Sequence, residues 1–293
     1  MLRGTPGACN IMLLPGAGVE PPGDLLLADV AREAASIAVD GLRELGVAER
    51  GAISLENVDG HLSAGAAAAA VAAPGSAGDA VVWEEVEAAT SESVAFTVSF
   101  QLFMVIATLI AGAGIFLDSP ILIVGAMVVG PEFGPLAGIC VALVEGRRRL
   151  AARSLAALAV GFPVAIAASY AASLIYRATG ITPDVFTEAD HTLSDIIASP
   201  DAFSVIVAFC AGVAGMLSLT TAKSSVLIGV LISVTTIPAA ANVGVAAAYS
   251  DWSGFRGSLG QLAINLVVIV VAGTLTLAVQ RLIYLRRRRA AGG

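Results

Sequence analysis

Sulfur and imidazole are scarce in this chain, with three cysteines and two histidines. Cys9 lies in a polar region, and Cys140 and Cys210 lie in hydrophobic segments. Neither a disulfide framework nor a metal-ligand spacing follows. Cys140 and Cys210 read as small apolar fillers. His61 and His191 stand apart from one another and read as surface residues. Charge is also short. Only 13% of residues are charged, where a soluble globular chain carries roughly one quarter. That deficit excludes an ordinary soluble domain. The net charge is −7, and the polar part holds no basic patch, so no nucleic-acid partner is expected. No cleavable leader is legible, because Asn10 leads into the first short apolar run and prolines close it. No nucleophile–base set lies at matching depth, so an enzyme is not expected and no cofactor is named.

What the chain has is hydrophobic length, at 57% of residues. About six segments reach the ~20 residues needed to cross a bilayer. They run over 95–117, 120–144, 150–176, 202–219, 225–249 and 259–284. Arg147, Arg148 and Arg149 follow the second, Lys223 the fourth, and Arg286 to Arg289 the sixth. An acidic loop with Asp184, Glu188, Asp190, Asp195 and Asp201 follows the third. The positive-inside rule puts the arginine loops and both termini in the cytoplasm and the acidic loop outside. The expected location is the inner membrane, multi-pass, with the lipid bilayer as a partner.

Four regions follow: a small cytoplasmic α/β unit over 1–60, a helical linker over 61–94, a membrane domain over 95–285 and a basic tail over 286–293. In the first, Asn10 to Leu14 reads as a strand and Pro15 to Gly23 as a loop. Asp24 reads as the N-cap of a helix on which Leu26, Val30, Ala34, Ile37, Gly41 and Leu45 share a face. Ala52 to Leu55 reads as a second strand. The glycines of the Leu14–Gly23 loop match no phosphate-loop pattern. The alanine run from Leu62 to Ala73 favours a helix, which Pro74 and Gly75 end. Val81 to Ser93 reads as an acidic amphipathic helix, with Trp83 as an interfacial anchor. A unit this small buries little core, so a homo-oligomer is expected.

The second hydrophobic segment carries the sharpest feature, SPILIVGAMVVGPEFGPLAGI. Gly130, Pro131, Glu132, Gly134 and Pro135 cannot continue a regular helix, since proline removes an amide donor. Freed backbone groups survive at membrane depth only inside protein or beside a wet cavity. A carboxylate at the centre of a span costs about 2.5–3.5 kcal/mol on insertion scales. Two half-helices meeting at a polar site are expected. Glu132 either binds a cation or proton in a cavity lined by Gly130 and Gly134, or caps the amides of the second half-helix. Asp118 with Ser119 and Pro120 reads as the cap of the second span. In the fifth segment Thr235, Thr236 and Asn242 are the matching polar groups, as ligand oxygens or as interhelical glue. Gln261 and Asn265 share a face of the sixth and read as interhelical hydrogen-bonding groups.

Sliding the chain on itself by about 104 residues brings the spans into register, a device recurrent in transporters. Gly125 lands on Gly229, Ala137 on Ala241, Ser154 on Ser258 and Arg177 on Arg281. The second span breaks at Pro131–Pro135 and the fifth at Thr235–Pro238. Three spans per unit would invert one half relative to the other. Duplication and chance matching of alanine-rich spans both stay open. The fold class expected is an α-helical polytopic membrane protein, with a 3+3 inverted repeat and broken second and fifth spans as its finer form.

The Ser119–Gly138 motif and the later LIGVLISVTTIPAAANVGVA resemble the bacterial membrane family called domain of unknown function 389. The resemblance covers about Val94 to Gln280. It implies a multi-span inner-membrane protein with a polar N-terminal portion, and no catalytic or binding residue follows from it. The residues themselves point to a transporter or channel for a small solute or ion with a cytoplasmic regulatory domain. The alternative is a non-transporting sensor or scaffold whose α/β unit binds a ligand or partner.

Overall fold

The computed structural model describes residues 1–58, 62–73, 81–93, 96–182, 186, 192–199, 201–221 and 226–291. The side chains at 89, 91–93, 192, 226–235 and 287–291 lie outside the description. So do His61, His191, Lys223, the Pro74–Gly75 helix stop, and Asp184, Glu188 and Asp190 of the acidic loop. Contacts divide the chain into two units. One holds Met1–Ala88, Thr220–Ala222 and Gln280–Gly293; the other holds Ala89–Leu219 and Lys223–Val279.

The first unit begins with an antiparallel hairpin, β1 (Ala8–Val19) and β2 (Pro22–Val30). This corrects the expected loop and helix start. Leu25, Leu26 and Leu27 sit opposite Leu14, Leu13 and Met12. Pro21, Pro22 and Gly23 supply turn chemistry. Asp24 caps no helix; its Oδ1 accepts from the Gly16 amide at 2.8 Å. Helix α1 runs over Arg32–Glu44 and α2 over Val47–Arg50, with left-handed Gly46 (φ 68°) between them. Residues Ala52–Leu55 form no strand, so the second expected strand is replaced by β2. The alanine run forms α3 (Ala64–Ala72), capped by Ser63 accepting from the Ala66 amide. The acidic helix is α4, Trp83–Ser93. Ser36 ties α1 to it, accepting from the Trp83 amide at 3.1 Å and donating to Glu84 at 2.7 Å. Trp83 is buried, with the Arg281 guanidinium 4.7 Å from its ring centre. It is therefore a packing residue rather than an interfacial anchor. Arg281 stacks because a cation over an indole face is attracted by its quadrupole.

The second unit is helical. Its elements are α5 (Val98–Phe116), α6 (Pro120–Val129), α7 (Phe133–Glu145), α8 (Arg148–Ala178), α9 (Thr192–Ala198), α10 (Ala202–Thr220), α11 (Val226–Ala248) and most of α12 (Trp252–Ala291). Among the described residues, α5, α8, α10 and α12 are long and apolar enough to cross a membrane. The pair α6 and α7, bent by 54°, makes up to five. Helix α11 is described with side chains only from Thr236. The core is small-residue and apolar: Met104, Ala107, Ala111, Leu136, Ala165, Ala240, Val245 and Ile269 are buried together. Helix α11 packs on α5, α6, α8 and α9.

Two expectations are corrected. The fifth segment is one helix through Pro238. A single proline deletes one amide, which a helix absorbs as a kink; two prolines with flanking glycines do not allow that. Of the expected Asp118–Pro120 cap, Ser119 is the N-cap of α6 and Pro120 opens the helix, whereas Asp118, in left-handed backbone (φ 46°), does not cap it. Its carboxylate accepts instead from the Leu193 amide of α9 at 3.0 Å.

One offset recurs through this unit. Glu132 and Thr236 are 104 residues apart and share a hydrogen bond. The same offset separates both ends of α5 from both ends of α10, and the start of α8 from that of α12. It separates the cap bond Phe100 N–H to Thr97 Oγ1 from Ser204 N–H to Asp201 Oδ1. It separates left-handed Gly146 (φ 70°) from Ser250 (φ 59°). It also separates the closing bond Arg147 N–H to Ala142 O from Asp251 N–H to Ala246 O, each 2.9 Å.

Candidate functional site

The site starts from three missing amides. Pro131 has no N–H for the Met127 carbonyl, Pro135 none for the Pro131 carbonyl, and Pro238 none for the Val234 carbonyl. Helix α6 therefore ends at Val129, Gly130 turns extended (φ −62°, ψ 124°), and α7 restarts at Phe133. At 1.5 Å per residue, α6 is about 15 Å long and α7 about 20 Å. Together the two halves are long enough to reach across a hydrocarbon core about 30 Å thick, and the pair is bent by 54° at the break.

Glu132 is the N-cap residue of α7 by position (φ −68°, ψ −14°), and its carbonyl accepts from the Leu136 amide at 3.1 Å. Its carboxylate makes no capping bond to α7. The capping alternative is corrected on this point. The side chain turns to α11, where Thr236 Oγ1–H donates to Oε1 at 2.7 Å, and both residues are 0% exposed. Gly134 and Pro135 are buried in the first turn of α7. There the missing N–H of proline does least harm, because first-turn amides have no helical partner. The break residues and Thr236 thus come together. Thr235 is described by backbone alone.

Asn242 belongs to a different cluster. Its amide donates to Ser258 Oγ at 2.8 Å, and its Oδ1 accepts from Ser194 Oγ at 3.0 Å. It joins α11 to α12 and to α9. Gln261 donates to Asn265 one turn on in the same helix, at 3.2 Å; this bond is within α12 rather than between helices.

Sequence reasoning missed two arrangements. Ser194 and Ser258 appear as partners only once α9 folds back. Phe116, Tyr176, Phe186 and Tyr249 form an aromatic cluster, ring centres 5.3–6.2 Å apart, with Arg177 over Tyr249. These rings are far apart in sequence, and no local pattern announces them. The Glu132–Thr236 pairing did have a signal, because the offset that aligns the spans carries one residue onto the other.

The match to a known family covers this site. Residues 127–271 match the family described as Domain of unknown function (DUF389). The chain is 28% identical over 176 residues to an uncharacterized protein of Methanocaldococcus jannaschii, over 58% of this chain and 52% of that protein. It thus spans about half of that relative's length. No solved structure matches.

Proposed function

We propose that this chain, whose residues 127–271 match the DUF389 family as the break motif suggested, is a membrane transporter or channel for a small solute or ion. The carrying observation is the fully buried Glu132 at the break between two apolar half-helices, hydrogen-bonded to Thr236 of α11. An acid held there by design is a functional site before it is anything else. A buried carboxyl holds a proton or a cation, and the Met127 carbonyl freed by Pro131 supplies a further hard oxygen ligand. Glu132, Thr236 and the Gly130–Pro135 break form the exchange site in this reading, and no catalytic step is assigned.

The finer architecture belongs to the same proposal: six spans in two inverted halves related by a two-fold axis. Such an axis requires each contact between halves to occur twice with roles exchanged, and a residue on the axis to meet its own counterpart. Glu132 meets Thr236, its counterpart at the common offset. Cys140 of α7 lies on Val270 and Gly273 of α12, and Gly244 of α11 lies on Ile166 and Ser169 of α8. All three residue pairs obey that offset. Both chain ends fall within one compact unit. That supports an even number of spans, with both termini on the cytoplasmic side of the inner membrane beside the arginine loops.

The test is flux in liposomes of purified protein, read with an internal pH dye under imposed Na⁺ or K⁺ gradients. Wild type should move protons or the cation. Glu132→Gln keeps the acceptor for Thr236 but cannot ionise, and should lower that flux about tenfold or more, at least about 1.4 kcal/mol in the barrier. Equal flux in both would reject the coupling role. No flux in either would favour the sensor or scaffold reading.

A further inference from the structure

Helix α9 has 7 residues, too few to cross a membrane, yet one face of it is buried. Ser194 and Ala198 are buried, Leu193 and Ile197 pack against the apolar core, and Asp195 and Ile196 are exposed. A helix this short does not hold itself together in water, so what fixes it lies outside it. The Asp118 carboxylate accepts from the Leu193 amide at 3.0 Å and so caps the first turn from another element. Ser194 Oγ–H donates to Asn242 Oδ1 at 3.0 Å. The Asn242 amide donates to the Ser194 carbonyl at 3.5 Å and to Ser258 Oγ at 2.8 Å. A Cβ on Gly257 would collide with the Ala198 carbonyl oxygen, so α12 lies directly on the end of α9.

All this happens at one end of the unit, where Phe116, Tyr176 and Tyr249 gather the last residues of α5, α8 and α11. Asn242 is six residues beyond Thr236 toward that end, about 9 Å along the helix. Every residue of α11 from Thr236 to Ala246 is buried, and α9 supplies part of the cover. The bonds to Asn242 join neutral groups, which water can replace at small net cost. Asp118 is exposed, so water can take the place of the Leu193 amide as well. The cover can therefore lift without stranding a charge. The common offset carries Asn242 onto Gly138, which has no side chain to bond. The corresponding stretch of α7 thus folds without such a latch.

We propose that α9 is a gate over the Glu132–Thr236 site, with Asn242 as its latch. The gate rests on the exchange-site reading above, and in the proposed orientation it shuts the outer side.

The test uses sealed vesicles, a Thr236→Cys reporter lacking the native cysteines, and a small impermeant thiol reagent. Adding Asn242→Ala should speed labelling from the outer side about tenfold and leave labelling from the cytoplasmic side within about twofold. Ser194→Ala, which alters α9 alone, should give the same one-sided gain and serves where Asn242→Ala does not fold. Unchanged outer labelling in a folded variant overturns the gate and leaves the exchange site standing. So does a gain of equal size from both sides, which means general loosening. A reporter unlabelled from both sides in every variant overturns the site and the gate together.

Discussion

Helices α6 and α7 and helix α11 occupy corresponding places at the common offset, yet they differ. The first pair breaks by 54° at Gly130–Glu132, whereas α11 runs unbroken through Pro238. One side has two prolines, two glycines and an acid; the other has one proline and two hydroxyls, of Thr235 and Thr236. The two sides therefore divide the pair between them: the broken side brings the ionisable group, and the continuous side brings the Thr236 hydroxyl that donates to it. A similar asymmetry appears in the packing. Gly244 of α11 faces backbone atoms of α8, and Gly273 of α12 faces the side chains of Cys140 and Met216.

The comparison breaks most sharply at the prolines. Pro131→Ala restores a donor for the Met127 carbonyl and should straighten the break. Flux should then fall about tenfold or more, while Pro238→Ala should stay within about twofold of wild type, a barrier change near 0.4 kcal/mol. Equal losses in the liposome assay would mean that the two spans work alike.

The glycines should give the next effect. A Cβ on Gly244 would sit 2.6 Å from Ser169 Cβ and 2.8 Å from both Ile166 O and Tyr170 N. Backbone cannot step aside, so Gly244→Ala should cost about 1–3 kcal/mol of stability. At Gly273 the nearest atoms are Cys140 Sγ and Met216 Cγ, each 2.9 Å away. A methionine chain can move, so Gly273→Ala should cost less. Thermal unfolding in detergent measures both, and the reverse order would contradict the packing described.

The smallest effect lies at the caps. Thr97 and Asp201 hold corresponding positions, and only Asp201 titrates. The Ser204 amide, and after it the Ser204 hydroxyl, hold the Asp201 carboxyl below its ordinary value of 3.8. A lowered folded-state value means that the cap contributes above the unfolded value and is lost as pH falls through the lower, folded one. Asp201→Thr should therefore flatten a slight loss of stability below about pH 4. Identical acid unfolding of the two proteins would show that the cap contributes nothing.

Much of this was legible in the residues. Apolar length placed α5, α8, α10 and α12 as candidate spans, and Pro131 and Pro135 placed the break, because both signals are local. The hairpin was misread because Leu26, Val30 and Ala34 also fit helical spacing. Leu25–Leu27 is a run that fits either period, and only pairing with Met12–Leu14 decides for a strand. Trp83 was misplaced because its partner Arg281 comes from the far end of the chain. Asp118 was misplaced because α9 returns to take its carboxylate. In the site, Glu132 and Thr236 were readable as polar groups at matching positions. Their contact was not, since it depends on how two spans cross.

The account rests on the Glu132–Thr236 pair being reached from water by way of the break. The direct measurement is the reaction of Thr236→Cys, in a background lacking the three native cysteines, with a small impermeant thiol reagent applied to sealed vesicles from each side in turn. The account predicts labelling from both sides, slowed by the ion that the wild type moves. A folded Thr236→Cys protein that stays unlabelled from both sides would contradict it.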